Sequence, residues 1–223
     1  MDGETSHDLE TLFFESIKDA REQALTFHEV DLVIGIPFYN KMENLTELLV
    51  KVEEGLVNLQ SRQKSLILCV GDPGATETME SIRRQGLKCP HLQFLMKSGV
   101  SSRESGIRAI MEIAKSIEAD VVIFAAELVQ GEDSWLRPDW ITRLIEPIRG
   151  EYDFVLTSFQ RNPYGDLMGH LFKTPLIEAF YGYSIKNSFS GVYAISHDTV
   201  ADYCTDIKFW INVTPWIICN QPN

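Results

Sequence analysis

Residues 31–52 read DLVIGIPFYNKMENLTELLVKV, and this stretch decides the fold class. Its beginning, 31–38, is an apolar run rich in β-branched side chains, which is typical of a buried strand. Apolar residues then recur at helical spacing from Leu45 onward, which predicts a helix. Asn40 and Glu43 stand between the two at the spacing of a helix N-cap and its reciprocal acid. The stretch therefore has the order strand, turn, helix.

The same order recurs along the following part of the chain. Apolar runs predict strands at 65–70, 91–96 and 120–126, and helices are predicted near 76–85 and around 107–117. Strands that alternate with helices imply a largely parallel sheet with right-handed crossovers. The fold class is therefore α/β.

The rest of the chain is less regular. Its predicted elements are helices at 9–27, 138–149 and 171–182, the last interrupted or started by Pro175, and strands at 152–159 and 190–196. We expect one domain over 1–223, with a leading helix within 1–30 and two halves at 31–127 and 128–223. The chain stops after the apolar segment TPWIICNQPN, and this ending suggests a truncated chain.

The composition of the chain indicates which partners and which compartment to expect. The formal net charge is -12 and the pI is about 4.8, so the chain would repel a phosphate backbone and nucleic acid is not expected. None of the four cysteines forms a C-x-x-C pair, which favours a reducing compartment. The start, MDGETSHDLE, does not resemble a signal peptide, and no uninterrupted apolar stretch is long enough to cross a bilayer. We expect a cytoplasmic protein without a membrane span.

Several common catalytic motifs are missing from the sequence. The first strand is not followed by G-x-G-x-x-G, and no G-x-x-x-x-G-K-[ST] or G-x-S-x-G occurs. The histidines show no H-E-x-x-H spacing, and no pairing of Cys with His suggests a zinc site. These absences weigh against dinucleotide-binding folds, P-loop proteins, α/β-hydrolases and zinc enzymes.

Polar groups follow four of the predicted strands. They are Pro37 to Asn40, Gly71 with Asp72, the segment from Lys97 to Arg103, and Glu127. In open parallel sheets ligands bind at the carboxyl ends of the strands, where these groups lie. No nucleophile is evident among them, which suits a transfer reaction in which the protein positions two substrates and stabilises a leaving group. An acid at a strand tip can hold a divalent cation, which neutralises a diphosphate.

The order of these segments resembles a known family. IPFYN at 36–40, GDPGAT at 71–76, SGVSSRESGIRAI at 98–110 and VVIFAAEL at 121–128, followed by LRPDWI, resemble the nucleotide-sugar glycosyltransferases of the GT-A fold. The chain is most similar to the family-2-like group that includes mannosylglycerate synthase and glucosyl-3-phosphoglycerate synthase. The resemblance spans roughly residues 31–196. It implies a three-layer α/β/α sandwich around a mainly parallel, mixed central sheet.

The resemblance also assigns roles to individual positions. In the nucleotide-sugar site of the family, a turn holds the nucleoside, and this turn maps to Pro37, Phe38, Tyr39, Asn40 and Glu43. An acid contacts the nucleotide base and maps to Asp72. A loop lies near the diphosphate and maps to Gly99 through Arg103, with Arg108. The acceptor would be bordered by Arg161, Tyr164, Asp166 and Gly191. The half 31–127 would thus bind the donor and the half 128–223 the acceptor.

The chain departs from the family at its metal motif. Where the family has Asp-x-Asp, this chain has Ala125, Ala126 and Glu127, so the first acid is missing. The resemblance implies Mg²⁺ or Mn²⁺ as cofactor, with Glu127 as its ligand and Glu127 and Asp133 as catalytic candidates. One carboxylate binds such an ion weakly unless phosphates and another ligand complete the shell. Glu132, Asp133 or His170 are the candidates for that further ligand.

Each assignment has a simpler structural alternative. Asn40 and Asp72 could cap the helices that follow them, and Arg103 and Arg108 could pair with Glu104 and Glu112 at the surface. Glu127 could end a strand in solvent, and Glu132 and Asp133 could belong to a solvated turn. Trp135 could be a core residue rather than a platform on which a sugar stacks. The sequence leaves these alternatives open.

Three functions compete. The first is transfer of a hexose, with retention of configuration, from a nucleotide diphosphate sugar to a small polar acceptor. The second is binding of a nucleotide sugar or glycan without turnover, which the missing first acid favours. The third, sugar nucleotidyl transfer, is disfavoured because GIPFYN lacks the Gly-rich loop and basic residue of that family. Association of identical chains remains open.

Overall fold

The computed structural model describes residues 2–39, 45–59, 64–124, 139–157, 174–182 and 191–205. The helices of this part are α1 Asp2–Ala24, α2 Leu45–Asn58, α3 Thr76–Gln85, α4 Arg103–Ser116, α5 Asp139–Gly150, α6 Thr174–Tyr181 and α7 His197–Thr205. Its strands are β1 Val30–Phe38, β2 Lys64–Gly71, β3 His91–Leu95, β4 Asp120–Phe124, β5 Phe154–Leu156 and β6 Val192–Ile195.

The strands form one mixed sheet of six in the order β3-β2-β1-β4-β6-β5. Strands β3, β2, β1 and β4 run parallel, and helices α2, α3 and α4 supply the crossover connections that parallel strands need. Strand β6 runs antiparallel to both β4 and β5. The mainly parallel, mixed sheet expected from the sequence is therefore confirmed.

The sheet separates two apolar cores, so the molecule has three layers. Helices α1, α4 and α7 cover one face, here called the α4-side core, where Ile110 and Val33 are fully buried. Helices α2, α3 and α5 cover the other face, here called the α2-side core, where Leu49 and Ile34 are fully buried. Successive residues of β1 point into opposite cores, as the pleat of a strand requires.

Most predicted elements agree with the structure to within a few residues. Helix α1 begins earlier than the predicted 9–27, and β5 begins two residues later than the predicted 152–159. Tyr152, at the start of the predicted strand, is 64% exposed and precedes the paired residues. Pro175 lies in the first turn of α6, where its missing N–H breaks no helical hydrogen bond, so it starts this helix. Among the described helices, none combines the length and the apolarity that crossing a bilayer requires.

Candidate functional site

The carboxyl ends of β1 and β2 lie side by side. Pro37 pairs with Val70, and Phe38 pairs with Gly71. The Phe38 side chain is fully buried in the α2-side core, and a Cβ at Gly71 would lie 2.6 Å from its Cζ. Phe38 thus holds the strand end in the core, while Tyr39, the next residue, is partly exposed at the edge of the sheet.

Tyr39 joins the end of β1 to the segment before α4. Its hydroxyl donates a 2.7 Å hydrogen bond to the carbonyl oxygen of Ser102. Helix α4 approaches closely because residue 106 is glycine: a Cβ there would lie 3.0 Å from Tyr39 Oη and 3.3 Å from Pro37 Cβ. Two of the predicted nucleoside residues, Pro37 and Tyr39, are therefore next to the first turn of α4.

Asp72 follows the last paired residue of β2 and is half-buried. Its carbonyl oxygen accepts a 3.1 Å hydrogen bond from the amide of Ala75, which closes a turn. Ala75 is the N-cap of α3, and its methyl side chain makes no capping hydrogen bond. Asp72 lies three residues before this N-cap, and its two alternative roles, as a cap of α3 and as a contact of a nucleoside base, both stay predictions.

Residues 97–102, here called the α4 entry loop, connect β3 to α4. Its turn is closed by a 3.3 Å hydrogen bond from the Val100 amide to the Lys97 carbonyl, and Gly99 has φ +95, a conformation that favours glycine. Ser102 then caps α4, its Oγ accepting from the Ser105 amide at 3.0 Å. The N-terminus of α4 consequently lies at the same sheet edge as Tyr39, and its dipole favours an anion there.

Arg103 is the first residue of α4, and its charge acts on Tyr193 of β6. Burial raises the pKa of the Tyr193 hydroxyl above its ordinary value, and the positive charge of Arg103 opposes that rise. Tyr193 pairs with Ile123 of β4 and stacks on Phe154, with ring centroids 5.7 Å apart. Sequence reasoning did not single out Tyr193. The alternation of side chains along a strand predicts the face of the sheet on which Tyr193 lies, but not that Arg103 lies near it.

Gly191 lies at this edge as well. It directly precedes β6, whose first residue, Val192, pairs with Phe124 at the end of β4. Gly191 has φ +73, again in the region that favours glycine. The described candidates thus lie in the end of a strand, directly beside a strand or at the start of a helix, all at one edge of the sheet; they are Pro37, Tyr39, Asp72, Arg103 and Gly191.

Arg108 has different surroundings. Its guanidinium makes two hydrogen bonds with the Glu10 carboxylate of α1, one of them 2.7 Å long, and lies 4.3 Å from the centre of the Phe13 ring. Glu112 lies 4.0 Å from its Nε. Arg108 is 8% exposed, so it is not a surface partner, and its contact with a diphosphate stays a prediction. Its described contacts hold α1 against α4.

Several predicted positions lie outside the described residues: Asn40, Glu43, Glu127, Glu132, Asp133, Trp135, Arg161, Tyr164, Asp166 and His170. Within the described ranges, no group of three His, Cys, Asp or Glu side chains could hold a metal ion. The cation assigned to Glu127 therefore stays a prediction.

No family model and no curated protein sequence matches this chain. Solved structures do. Glucosyl-3-phosphoglycerate synthase from Mycobacterium tuberculosis in complex with phosphoglyceric acid has a TM-score of 0.55 at 16% identity, over 80% of this chain and 60% of that one. The same enzyme in complex with Mn²⁺, UDP-glucose and phosphoglyceric acid has a TM-score of 0.54 at 17% identity, with the same coverage of both chains. Mannosyl-3-phosphoglycerate synthase from Rubrobacter xylanophilus has a TM-score of 0.58 at 14% identity, over 80% of this chain and 56% of that one.

These similarities concern architecture. The chain spans about 60% of the length of the solved glucosyl-3-phosphoglycerate synthases. At such low identity the likeness shows a shared fold and leaves activity and substrates to be argued from the site. The chain therefore has the GT-A-type α/β/α fold of these glycosyltransferases, as the sequence resemblance implied.

Proposed function

We propose that this protein is a glycosyltransferase that moves a hexose from a nucleotide diphosphate sugar to a small polar acceptor. The observation that carries the proposal is the meeting of β1, β2 and α4 at one sheet edge, fixed by the Tyr39–Ser102 hydrogen bond. The shared fold adds support, because one of the similar structures is a synthase in complex with Mn²⁺, UDP-glucose and phosphoglyceric acid.

The polar groups at this edge suit the two parts of such a donor. Tyr39 and Asp72 extend beyond the paired ends of neighbouring strands, where an aromatic ring and a carboxylate could contact a nucleoside. Arg103 and the N-terminus of α4 supply positive potential for a diphosphate. Such local donors are required because the whole chain carries a formal charge of -12.

The transfer itself needs few protein groups. In a retaining transfer the bond from the sugar C1 to the diphosphate oxygen breaks, and a bond to the acceptor oxygen forms on the same face. A diphosphate oxygen takes the acceptor proton, so no enzymic nucleophile is required. The protein's part is to align the two substrates and to stabilise charge on the leaving diphosphate, for which Arg103 and the first turn of α4 are the candidates. A divalent cation held by Glu127 would neutralise further diphosphate charge.

A second candidate function rests on one feature of the sequence. Ala125 stands where the resembled family has the first acid of its metal motif, which leaves Glu127 as the acid at that strand end. A protein with this change could bind a nucleotide sugar or a glycan without turning it over. The two functions share the donor site and differ in whether the sugar–diphosphate bond is broken.

Thermal unfolding with nucleotides tests the shared donor site. We expect UDP, GDP or ADP, with or without Mn²⁺, to raise the melting temperature, because a ligand at a hundred times its Kd stabilises the folded state by about 2.7 kcal/mol. Inorganic phosphate at the same concentration is the control for non-specific anion binding. If none of the nucleoside diphosphates shifts the transition beyond phosphate, the donor site is refuted.

Release of nucleoside diphosphate from the matching nucleotide sugar separates the two functions. A glycosyltransferase gives release that depends on acceptor, tested with a panel of small polar acceptors that includes 3-phosphoglycerate, an acceptor suggested by the similar structures. If the protein binds the nucleotide sugar but releases no nucleoside diphosphate with every acceptor of the panel, the second candidate is supported.

A further inference from the structure

The α4 entry loop is held at its beginning by α1. The Met96 amide still donates to the sheet, to the carbonyl oxygen of Gly71 at 2.8 Å. The next amide, that of Lys97, donates instead to Oγ of Ser16 at 2.8 Å. A side chain of α1 therefore replaces the neighbouring strand at the point where the chain leaves the sheet.

Further contacts join α1 to the same loop. A Cβ at Gly99 would lie 3.6 Å from Leu12 Cδ2, so the leucine side chain packs against the turn. Val100 is buried in the α4-side core, to which α1 also contributes. The Lys97–Glu15 ion pair, 3.0 Å long, is half-exposed on both sides and adds little on its own. Within this set, Ser16 is the one that bonds the loop backbone.

The end of the loop is held from the other side. Ser102 accepts the Tyr39 hydroxyl through its carbonyl oxygen and caps α4 through its own hydroxyl. The loop is short, so its course between Lys97 and Ser102 depends on these two anchors. One anchor is at the candidate site, and the other is on α1.

We propose that Ser16 is a positioning residue for the nucleotide site: by accepting the Lys97 amide, it sets the direction of the α4 entry loop and so the placement of Ser102 and Arg103 against the ligand. The inference rests on the proposed function for its ligand. Ser16 acts through the loop and does not touch the substrate. Lys97 is solvent-exposed, so water can replace the lost acceptor, and the loss of Ser16 should loosen the loop more than it destabilises the fold.

Three variants test this. Ser16→Ala removes the acceptor, Ser16→Thr keeps it, and Thr26→Ala removes a hydroxyl that bonds the nearby Gln23 carbonyl at 2.7 Å, outside the loop. We expect Ser16→Ala to raise the Kd for UDP, or for whichever nucleoside diphosphate the wild-type protein binds, about three- to tenfold by calorimetric titration well below the melting temperature. Ser16→Thr and Thr26→Ala should stay within about twofold of wild type.

Hydrogen exchange gives a readout that needs no ligand. The peptide covering 97–102 should exchange about tenfold faster in Ser16→Ala and at the wild-type rate in Thr26→Ala. Unchanged exchange and Kd in Ser16→Ala, or equal changes in Thr26→Ala, would overturn the role of Ser16. If the wild-type protein binds no nucleoside diphosphate, the proposed function fails, and the exchange rates alone decide whether Ser16 positions the loop.

Discussion

Two arginines on α4 differ in what surrounds them, and so should differ in what their loss does. Arg108 is buried against Glu10 and Phe13, so Arg108→Ala leaves carboxylates unpaired. We expect urea unfolding to show a loss of about 2–3 kcal/mol, below the range for a fully buried pair because Glu10 is 31% exposed. Arg103→Ala should lower stability by less than Arg108→Ala does, because Arg103 is only half-buried, but raise the nucleotide Kd about tenfold or more.

The reverse pattern would contradict this assignment. If Arg108→Ala weakens nucleotide binding while stability is kept, Arg108 contacts the diphosphate as the family resemblance implied. The sequence could not separate the two arginines, because the Arg108 partner Glu10 is 98 residues away along the chain. Likewise, Tyr39 and Ser102 are 63 residues apart, so their bond is invisible to local patterns.

At the scale of elements, the interface of α1, α4 and α7 contains a buried acid that should make stability depend on pH. Burial raises the pKa of Glu112 above 4.5, and the charge of Glu10 adds to the rise, while Arg108, Lys115 and Arg21 oppose it. The folded state thus favours the protonated acid. This contribution to stability is present below the unfolded pKa and is lost as pH rises through the folded pKa.

Glu112→Gln removes the titrating group from that interface. We expect the variant to gain stability relative to wild type between about pH 4 and pH 7, since glutamine avoids the cost of a buried charge and Arg108 keeps its Glu10 partner. Urea unfolding at both pH values measures the difference. A difference that is the same at both values, or that favours the variant more at pH 4, would show that Glu112 does not titrate in this way.

The elements themselves were largely predictable, because burial imposes a period on the sequence. Strand β1 is buried at eight of its nine positions, all but Asp31, which produces the unbroken apolar run at 32–38. Helix α4 buries every residue from 106 to 114, and among them Ile107, Ile110 and Ile113 recur at helical spacing. The first and last residues of β5 were harder to predict, since all three of its residues are only half-buried and the apolar pattern in the sequence is correspondingly weak.

For the whole molecule, the alternation of strands and helices predicted that the strand ends share one edge, but not which groups meet there. A parallel sheet with crossovers brings its carboxyl ends together whatever the side chains are. That Ser16 supports the α4 entry loop depends on how α1 packs across the sheet, which no local spacing encodes. The shared edge could therefore be predicted, whereas the contacts that shape it required the structure.

Because β1 contributes side chains to both cores, the two faces of the sheet should unfold together. Val33 belongs to the α4-side core and Ile34 to the α2-side core, on one continuous backbone. Ile110→Ala and Leu49→Ala, both at fully buried positions on opposite faces, should each lower the free energy of unfolding by about 2–5 kcal/mol.

Urea unfolding followed by far-UV circular dichroism and by tryptophan fluorescence measures this coupling. Each variant should keep one transition, with the two signals coincident and the denaturant slope unchanged from wild type. Val57→Ala, at a position 70% exposed on α2, is the control and should lie within about 0.5 kcal/mol of wild type. A variant in which the two signals separate would mean that one face can unfold alone; the edge that carries Tyr39, Asp72 and Arg103 would then not be held as one rigid site.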